Sequence, residues 1–191
     1  LAYHFPRGYE FRGNVKNIKE VTDGEVCSLV LTVASPPHTA MIRRSMTVTK
    51  VLGCDETGRC TITFFNQPYM RDALKTGVEA RFYGKVERRL GTVTMTSPAV
   101  EILRGNIPLR ALVPVYPLVE GITQKLMAAS VRAALDAIFD PSSPDALGES
   151  LPYEIRKKYG LCDIKYALYS IHCPADAETI ERAKKRLAFE E

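Results

Sequence analysis

Residues 59–74 read RCTITFFNQPYMRDAL, and this stretch decides the fold because a strand pattern passes directly into a helix pattern. Side chains alternate between the two faces of a strand, so Cys60, Ile62 and Phe64 share one face that suits a hydrophobic core. Asn66 is a residue type that caps helices, and the residues after it favour one short helix. The stretch therefore predicts a strand over 59–65 followed by a short helix.

Four further strands flank this stretch. The runs at 26–35 and 46–53 are rich in β-branched residues, and those at 78–87 and 92–97 alternate apolar with polar side chains. Five strands with a short helix between the third and the fourth are the order of an OB-fold, a small and partly open barrel. Pattern alone leaves other small β-barrels open. The predicted fold class is mainly β plus α, an OB-fold five-stranded barrel followed by a helical segment.

The pattern changes after residue 105. Prolines punctuate an extended stretch over 109–119, which we expect to run along the surface. From Thr123 onward, apolar residues recur at helical spacing. Further helices are predicted over 153–159, over 163–172 and from Asp176 onward. We therefore predict an OB-fold domain over residues 1–105, and an extended linker with helices over residues 106–191.

The composition is that of a folded protein. The chain has 191 residues, of which 46% are hydrophobic and 25% charged, which excludes collagen-like, low-complexity and fully disordered classes. No apolar run approaches the ~20 residues of a membrane helix, and the N-terminus lacks a secretory signal pattern. We expect a soluble protein of the cytoplasm. Because the chain begins at Leu1 and ends within a helical pattern, we also expect a fragment of a longer protein.

The cysteines and histidines offer no recognisable metal site. Five Cys residues form an odd set without a C-x-x-C pair, and only three His residues accompany them. His172 and Cys173 are adjacent and would make a ligand pair or a nucleophile and base, but neighbours on a helix point in different directions. Buried or incidental thiols in a reduced compartment are the simpler interpretation.

Basic residues are concentrated in the first part of the chain. Residues 1–105 contain 15 Lys and Arg against 10 Asp and Glu, a net charge of +5, whereas 11 against 12 give residues 106–191 a net charge of −1. Such an excess is expected of a surface that meets nucleic acid, and a solvated surface is the alternative. The sequence contains no phosphate-binding loop, nucleophile elbow or H-E-x-x-H motif, so it points to no catalytic activity of its own.

Two aromatic residues flank the end of the strand predicted at 59–65. Alternation places Phe65 on the face of the strand that carries polar and charged side chains, where a large apolar ring is unusual unless it contacts something. Tyr69 follows four residues later. Two such rings can form a stacking platform for the bases of a single strand. The alternative is that Phe65 covers the end of the barrel or packs under the proline-rich stretch.

Basic side chains are interleaved with a ring on the fourth predicted strand. Its apolar face leaves the alternate residues outward, and a groove that follows a nucleic-acid backbone needs cations for phosphates and rings for bases. Glutamates on the same strand dilute this stripe, so an ordinary solvated face is the alternative. The candidate backbone contacts are Arg81, Tyr83, Lys85, Arg88 and Arg89, with Arg43 and Arg44 from the loop after Pro36-Pro37.

Four segments of the chain, in order, resemble bacterial RecG, a family of ATP-dependent DNA helicases that remodel stalled replication forks and branched recombination intermediates. The resemblance is to the N-terminal wedge domain and the segment that leads to the motor, and it spans almost the whole chain. The segments are LAYHFPRGYE at 1–10, FFNQPY at 64–69, VPVYP with EGITQK within 113–125, and IHCP with ERAKKRLAFEE within 171–191.

The resemblance implies a specific function. In that family the wedge is an OB-fold at the DNA branch point, where rings at the positions of Phe65 and Tyr69 stack on bases and help to split the arms. ATP and Mg²⁺ belong to the motor, and the implied partners are branched and single-stranded DNA and the motor domains in cis. The chain is then expected to be a monomeric wedge module, non-catalytic by itself, without membrane contact and associated with the nucleoid.

A structural role is the alternative from a different class. The strands and helices would then dock on the motor or on another protein, with Phe65 and Tyr69 buried at that interface. Strong salt dependence of DNA binding would favour the DNA-binding role, because phosphate contacts release counterions. Salt-insensitive self-association would favour the structural role.

Overall fold

The computed structural model describes residues 1–103, 110–143 and 146–190, which form two compact units. The strand unit is Arg12–Leu109, and the helical unit joins Leu1–Phe11 to Arg110–Glu191. The strands are β1 Gly8–Phe11, β2 Val15–Lys16, β3 Val26–Val33, β4 His38–Arg43, β5 Met46–Cys54, β6 Arg59–Phe65, β7 Glu79–Arg89, β8 Thr92–Thr96, β9 Ala99–Ile102 and β10 Leu112–Val115. The α-helices are α1 Met70–Ala73, α2 Gln124–Ile138, α3 Tyr153–Tyr159, α4 Ile164–His172 and α5 Ala177–Ala188, and a 3₁₀ turn covers Ile18–Glu20.

Five strands of the strand unit pair in the order of an OB-fold. The pairing path runs β3–β5–β6–β8–β7, and β7 also pairs with β3, so the path returns to its first strand. β6 and β8 are parallel, whereas the other neighbours on this path are antiparallel. In the chain, α1 lies between β6 and β7, the third and fourth of these five strands. The predicted OB-fold is confirmed.

The core of the strand unit follows the alternation predicted for β6. Cys60, Ile62 and Phe64 are fully buried, whereas Arg59 and Phe65 are exposed. The three buried side chains pack in one cluster with side chains of β3, β5, β7 and β8. Burial of a large apolar side chain contributes about 1.5–3 kcal/mol. This apolar face therefore holds β6 in one register and determines where Phe65 emerges.

The sequence did not predict β4. We expected Arg43 and Arg44 in a loop, but His38–Arg43 pairs antiparallel with β5, and Arg44 with Ser45 forms the turn between the two strands. No residue of β4 is buried. A strand without a buried face shows no alternation of apolar and polar side chains, and this is why the pattern gave no strand signal.

The helical unit contains, among its described residues, a two-stranded sheet and four helices. β1 pairs antiparallel with β10. As predicted, Thr123 caps α2 by accepting a hydrogen bond from the Leu126 N–H at 3.2 Å, and Asp176 caps α5 by accepting one from the backbone of the first turn. The helices predicted at 153–159 and 163–172 correspond to α3 and α4.

The structure divides the chain at two places, whereas we predicted a single boundary after residue 105. The first eleven residues lie in the helical unit, because β1 pairs with β10 and the Tyr9 hydroxyl donates a hydrogen bond to the Ile171 carbonyl at 2.7 Å. The strand unit is therefore inserted between two segments of the helical unit. Of the residues used in the predictions, Gly105, Pro108, Leu109, Pro144 and Glu191 lie outside the described residues.

Candidate nucleic-acid interface

Two rings reach solvent at the carboxyl end of β6. The core face of β6 buries Phe64, so the pleat turns the next ring outward. Phe65 is 37% exposed and Tyr69 is 60% exposed. The strand unit therefore leaves both rings accessible to a planar ligand, and their role as a stacking platform stays a prediction.

Asn66 holds the turn between the two rings. Its φ of 54° lies in the left-handed region, which Asn adopts more readily than most residues. Its side-chain Oδ1 accepts a hydrogen bond from the Thr47 N–H at 3.1 Å, and its own N–H donates to the Thr47 carbonyl at 2.8 Å. The predicted helix cap at Asn66 is wrong, because the side chain is used to tie the end of β6 to β5. The residue at the N-cap position of α1 is Tyr69.

Gln67 braces the second ring. The Tyr69 hydroxyl donates a hydrogen bond to Gln67 Oε1 at 3.0 Å, and the Gln67 carbonyl accepts one from Thr49 Oγ1 at 3.4 Å. Thr49 is fully buried on β5 and anchors this contact. Sequence reasoning assigned no role to Gln67, although its side-chain partner Tyr69 is only two residues away. A ring held in place before binding loses less conformational entropy when a base stacks on it.

The outer face of β7 combines two exposed cations with one half-buried ring. Lys85 and Arg89 are exposed, and Tyr83 is half-buried. The guanidinium of Arg12 lies 5.1 Å from the centroid of the Tyr83 ring, in a cation–π contact. Arg12 was missed, because it precedes the first predicted strand and nothing in the pattern places it beside β7.

Two more exposed cations stand at the end of the β4–β5 hairpin. Arg43 is the last residue of β4, and Arg44 is the first residue of the turn. β5 pairs with both β4 and β6, and Val48 of β5 lies opposite Phe65 in the register. The hairpin therefore belongs to the same sheet as the two rings.

A comparison with known protein families identifies the family of this chain. Residues 1–138 match the family model of the RecG wedge domain. The chain belongs to the RecG wedge family. This confirms the resemblance seen in the four sequence segments.

Relatives of this RecG wedge are whole helicases. The ATP-dependent DNA helicases RecG of Synechocystis sp. and Thermotoga maritima are 29% and 30% identical to it over the full chain, which covers 24% of each of them. A solved structure of RecG bound to a three-way DNA junction matches the full chain with a TM-score of 0.81 and 28% identity, over 26% of its own length. The chain thus spans about a quarter of the length of the relatives that it matches.

Arg81 is not on an exposed face of this RecG wedge, and its predicted role as a backbone contact is wrong. β9 pairs with β7 and places Glu101 opposite Arg81. The Arg81 side chain is 1% exposed and forms an ion pair with the Glu101 carboxylate. The alternation correctly assigned Arg81 to the outer face, but β9, four residues long and directly after Pro98, gave no signal in the pattern.

The Arg88 guanidinium forms hydrogen bonds within the strand unit. Its Nη1 donates hydrogen bonds to the carbonyls of Lys19 at 3.1 Å and Val21 at 2.8 Å, and its backbone N–H donates to Asp23 Oδ1 at 2.8 Å. These bonds fasten β7 to the segment that follows the 3₁₀ turn. Arg88 therefore has a bracing role, in addition to the backbone contact predicted for it.

We expect Arg81→Gln to lower the melting temperature of the strand unit. The substitution leaves the half-exposed Glu101 without its partner, which costs about 1–2 kcal/mol. Lys85→Gln is the matched variant, since Lys85 is an exposed cation on the same strand, and it should leave the melting temperature unchanged. Thermal melts measure both, and the reverse pattern would contradict these roles.

His172 is a buried hydrogen-bonding residue in the helical unit of the RecG wedge chain. It is 2% exposed; its Nδ1 accepts a hydrogen bond from the Tyr116 hydroxyl at 3.0 Å, and its Nε2 donates to the Ala2 carbonyl at 2.8 Å. Both ring nitrogens are thus engaged by the protein, and Cys173 is not one of their partners. Tyr116 is also buried, so the stretch predicted to follow the surface is anchored in the core. Burial lowers the pKa of His172.

We expect the stability of the helical unit to fall as the pH drops below about 6.5. The pKa of folded His172 lies below its ordinary value, so below about pH 6.5 the unfolded chain binds more protons than the folded one. The contribution is fully present above that pH and is lost as the pH falls. Urea denaturation at about pH 5 and about pH 7 measures it. His172→Gln should remove most of this difference, whereas His38→Gln, an exposed histidine on β4, should retain it; equal pH dependence in all three proteins would contradict the assignment.

Across residues 1–103, 110–143 and 146–190, no group of three or more His, Cys, Asp or Glu side chains is placed to hold a metal ion. The same residues contain no helix of sufficient length and hydrophobicity to cross a membrane.

Proposed function

We propose that this chain is the branch-binding module of a RecG-type DNA helicase, and that it separates strands by stacking bases on Phe65 and Tyr69. The observation that carries the proposal is the pair of exposed rings at the end of β6, of which Tyr69 is braced by Gln67. They stand on an OB-fold of the RecG wedge family, and a structural relative was solved on a three-way DNA junction.

The energies of stacking and of base-pair opening are of the same size. Stacking of a base on an aromatic side chain contributes about 1–3 kcal/mol. One base-pair step of DNA is stabilised by about 1.4 kcal/mol on average. Two rings can therefore offset the opening of about one to four steps at a branch, which is what a wedge needs while a motor draws the duplex past it.

Five cations remain as candidates to hold the phosphates of the parted strands. They are exposed in two groups, at the end of the β4–β5 hairpin and on β7. Each phosphate contact adds to the salt dependence of binding, since counterions are released. The five residues are Arg43, Arg44, Lys85, Arg88 and Arg89.

The remaining activity is assigned to other parts of the helicase. In this proposal ATP hydrolysis and Mg²⁺ belong to the motor in cis, and no step performed by the wedge uses them. The partners are branched and single-stranded DNA. The chain acts as one copy, in the bacterial cytoplasm at the nucleoid.

Fluorescence anisotropy of the chain with a forked DNA and with a matched linear duplex tests the proposal. We expect tighter binding to the fork, and weaker binding as the salt concentration rises. Equal affinity for fork and duplex would contradict branch recognition. Absence of fork binding, together with salt-insensitive self-association, would favour a structural docking role instead.

A further inference from the structure

The β4–β5 hairpin ends in an apolar pair that the core does not use. Met41 is 72% exposed and Ile42 is 59% exposed. The pairing register shifts between Met41 and Arg43, so Ile42 is the extra residue of a β-bulge. Bulges re-aim side chains and are frequent at functional edges of sheets. Two adjacent large apolar side chains are thus presented to solvent on an arm of the sheet.

The sequence on either side of this pair carries cations and no acids. Arg43 and Arg44 follow directly and are exposed. Residues 26–54 contain no Asp or Glu, and neither do residues 57–71, which include both rings. This chemistry is complementary to nucleic acid, because cations meet phosphates while Met and Ile are among the side chains that insert between base steps.

The register gives the reach of the hairpin relative to the rings. Val48 lies opposite Phe65, and Met41 lies opposite Thr47, the residue next to Val48. Residues rise by about 3.4 Å along a strand, and neighbouring strands are about 4.8 Å apart. Met41 therefore lies about one residue along the strands and two strands across from Phe65, a distance of about 10 Å. Stacked bases are spaced by about 3.4 Å, so this span corresponds to about three nucleotides.

We propose that Met41 and Ile42 form a second prying element, which inserts between base steps of the duplex arm while Arg43 and Arg44 hold the phosphates of that arm. The proposal rests on the proposed function, because the rings at Phe65 and Tyr69 locate the branch. The hairpin then acts on base pairs about three nucleotides from the base that is stacked on Phe65. Partial unstacking ahead of the branch lowers the cost of the next opening step.

The paired substitution Met41→Ser and Ile42→Ser removes the apolar wedge and retains both arginines. A fork that carries 2-aminopurine about three nucleotides inside the duplex arm reports local unstacking. The unchanged chain should raise its fluorescence, and the double variant should lose at least about half of that rise, with about three- to tenfold weaker binding and an unchanged salt slope. Arg43→Gln with Arg44→Gln should lower the slope by about 2. Leu90→Ser, at a fully exposed turn of the same unit, is the control and should change neither reading.

The outcomes separate the two proposals. If the Met41 and Ile42 variant matches the unchanged chain while Phe65→Ala still weakens fork binding, the hairpin proposal is overturned and the proposed function stands. If the unchanged chain binds no fork, the proposed function falls and takes the hairpin proposal with it. If the unchanged chain self-associates regardless of salt and the Met41 and Ile42 variant does not, the apolar pair contacts protein. That result also overturns the proposal.

Discussion

Replacing Phe65 and Tyr69 together by alanine should weaken the binding of forked DNA by about 30-fold or more. Each ring that stacks on a base contributes about 1–3 kcal/mol, and every 1.4 kcal/mol is a factor of about ten in affinity. Both rings are accessible, and neither belongs to the buried core of the strand unit. The variant should therefore remain folded. Fork titrations by anisotropy, with circular dichroism as a check of folding, measure the effect.

Phe65→Leu provides the matched control for this prediction. Leucine keeps an apolar side chain over the sheet but lacks the π-face on which a base stacks. It should preserve the melting temperature and still lose most of the affinity contributed by Phe65. Fork affinity that survives in Phe65→Leu, or in the double alanine variant, would show that the rings cover the sheet and do not contact DNA.

The second large effect is expected at Arg186, where Arg186→Met should destabilise the helical unit by about 3 kcal/mol. Arg186 on α5 is fully buried, and its Nη2 donates hydrogen bonds to Glu149 Oε1 at 2.7 Å and to Glu190 Oε1 at 2.9 Å. Removing one partner of a buried ion pair costs about 3–5 kcal/mol, and the lower end applies because both carboxylates are partly solvated. Urea denaturation measures the loss.

Two further variants test the cause of this effect. Arg186→Met combined with Glu190→Gln should recover part of the stability, because the carboxylate that loses its cation is then neutral. Lys184→Met removes an exposed cation from the same helix and should change the free energy of unfolding by less than about 0.5 kcal/mol. A loss for Arg186→Met as small as that for Lys184→Met would show that the buried cluster contributes little.

Local pattern was sufficient where a strand or helix has one buried face. β6 was predicted to the residue, and its alternation also indicated that Phe65 emerges from the sheet. The helix caps at Thr123 and Asp176 were readable because the capping side chain and the helix are adjacent in sequence. These features depend on residues within a few positions of each other, which is the range over which period and capping rules operate.

Local pattern does not predict which segments pair when they are distant in the sequence. Arg81 lies on the predicted face of β7, yet Glu101 on β9 covers it. Asn66 is a residue type that caps helices, yet its side chain accepts a hydrogen bond from Thr47 on β5. The exposed strand β4 has no periodic signal at all. In each case the deciding partner is on another element, and only the register of the sheet shows which residue that is.

The pairing of β1 with β10 has a consequence for how the chain is made. β1 leaves the ribosome before β10, which begins about one hundred residues later, a delay of roughly 5–20 s at ordinary rates of synthesis. The strand unit, whose residues are contiguous, can fold within that interval. Once folded, it replaces a long flexible loop and reduces the entropy lost when β1 meets β10. Synthesis from the N-terminus to the C-terminus therefore favours an order in which the strand unit folds first and the helical unit folds after it.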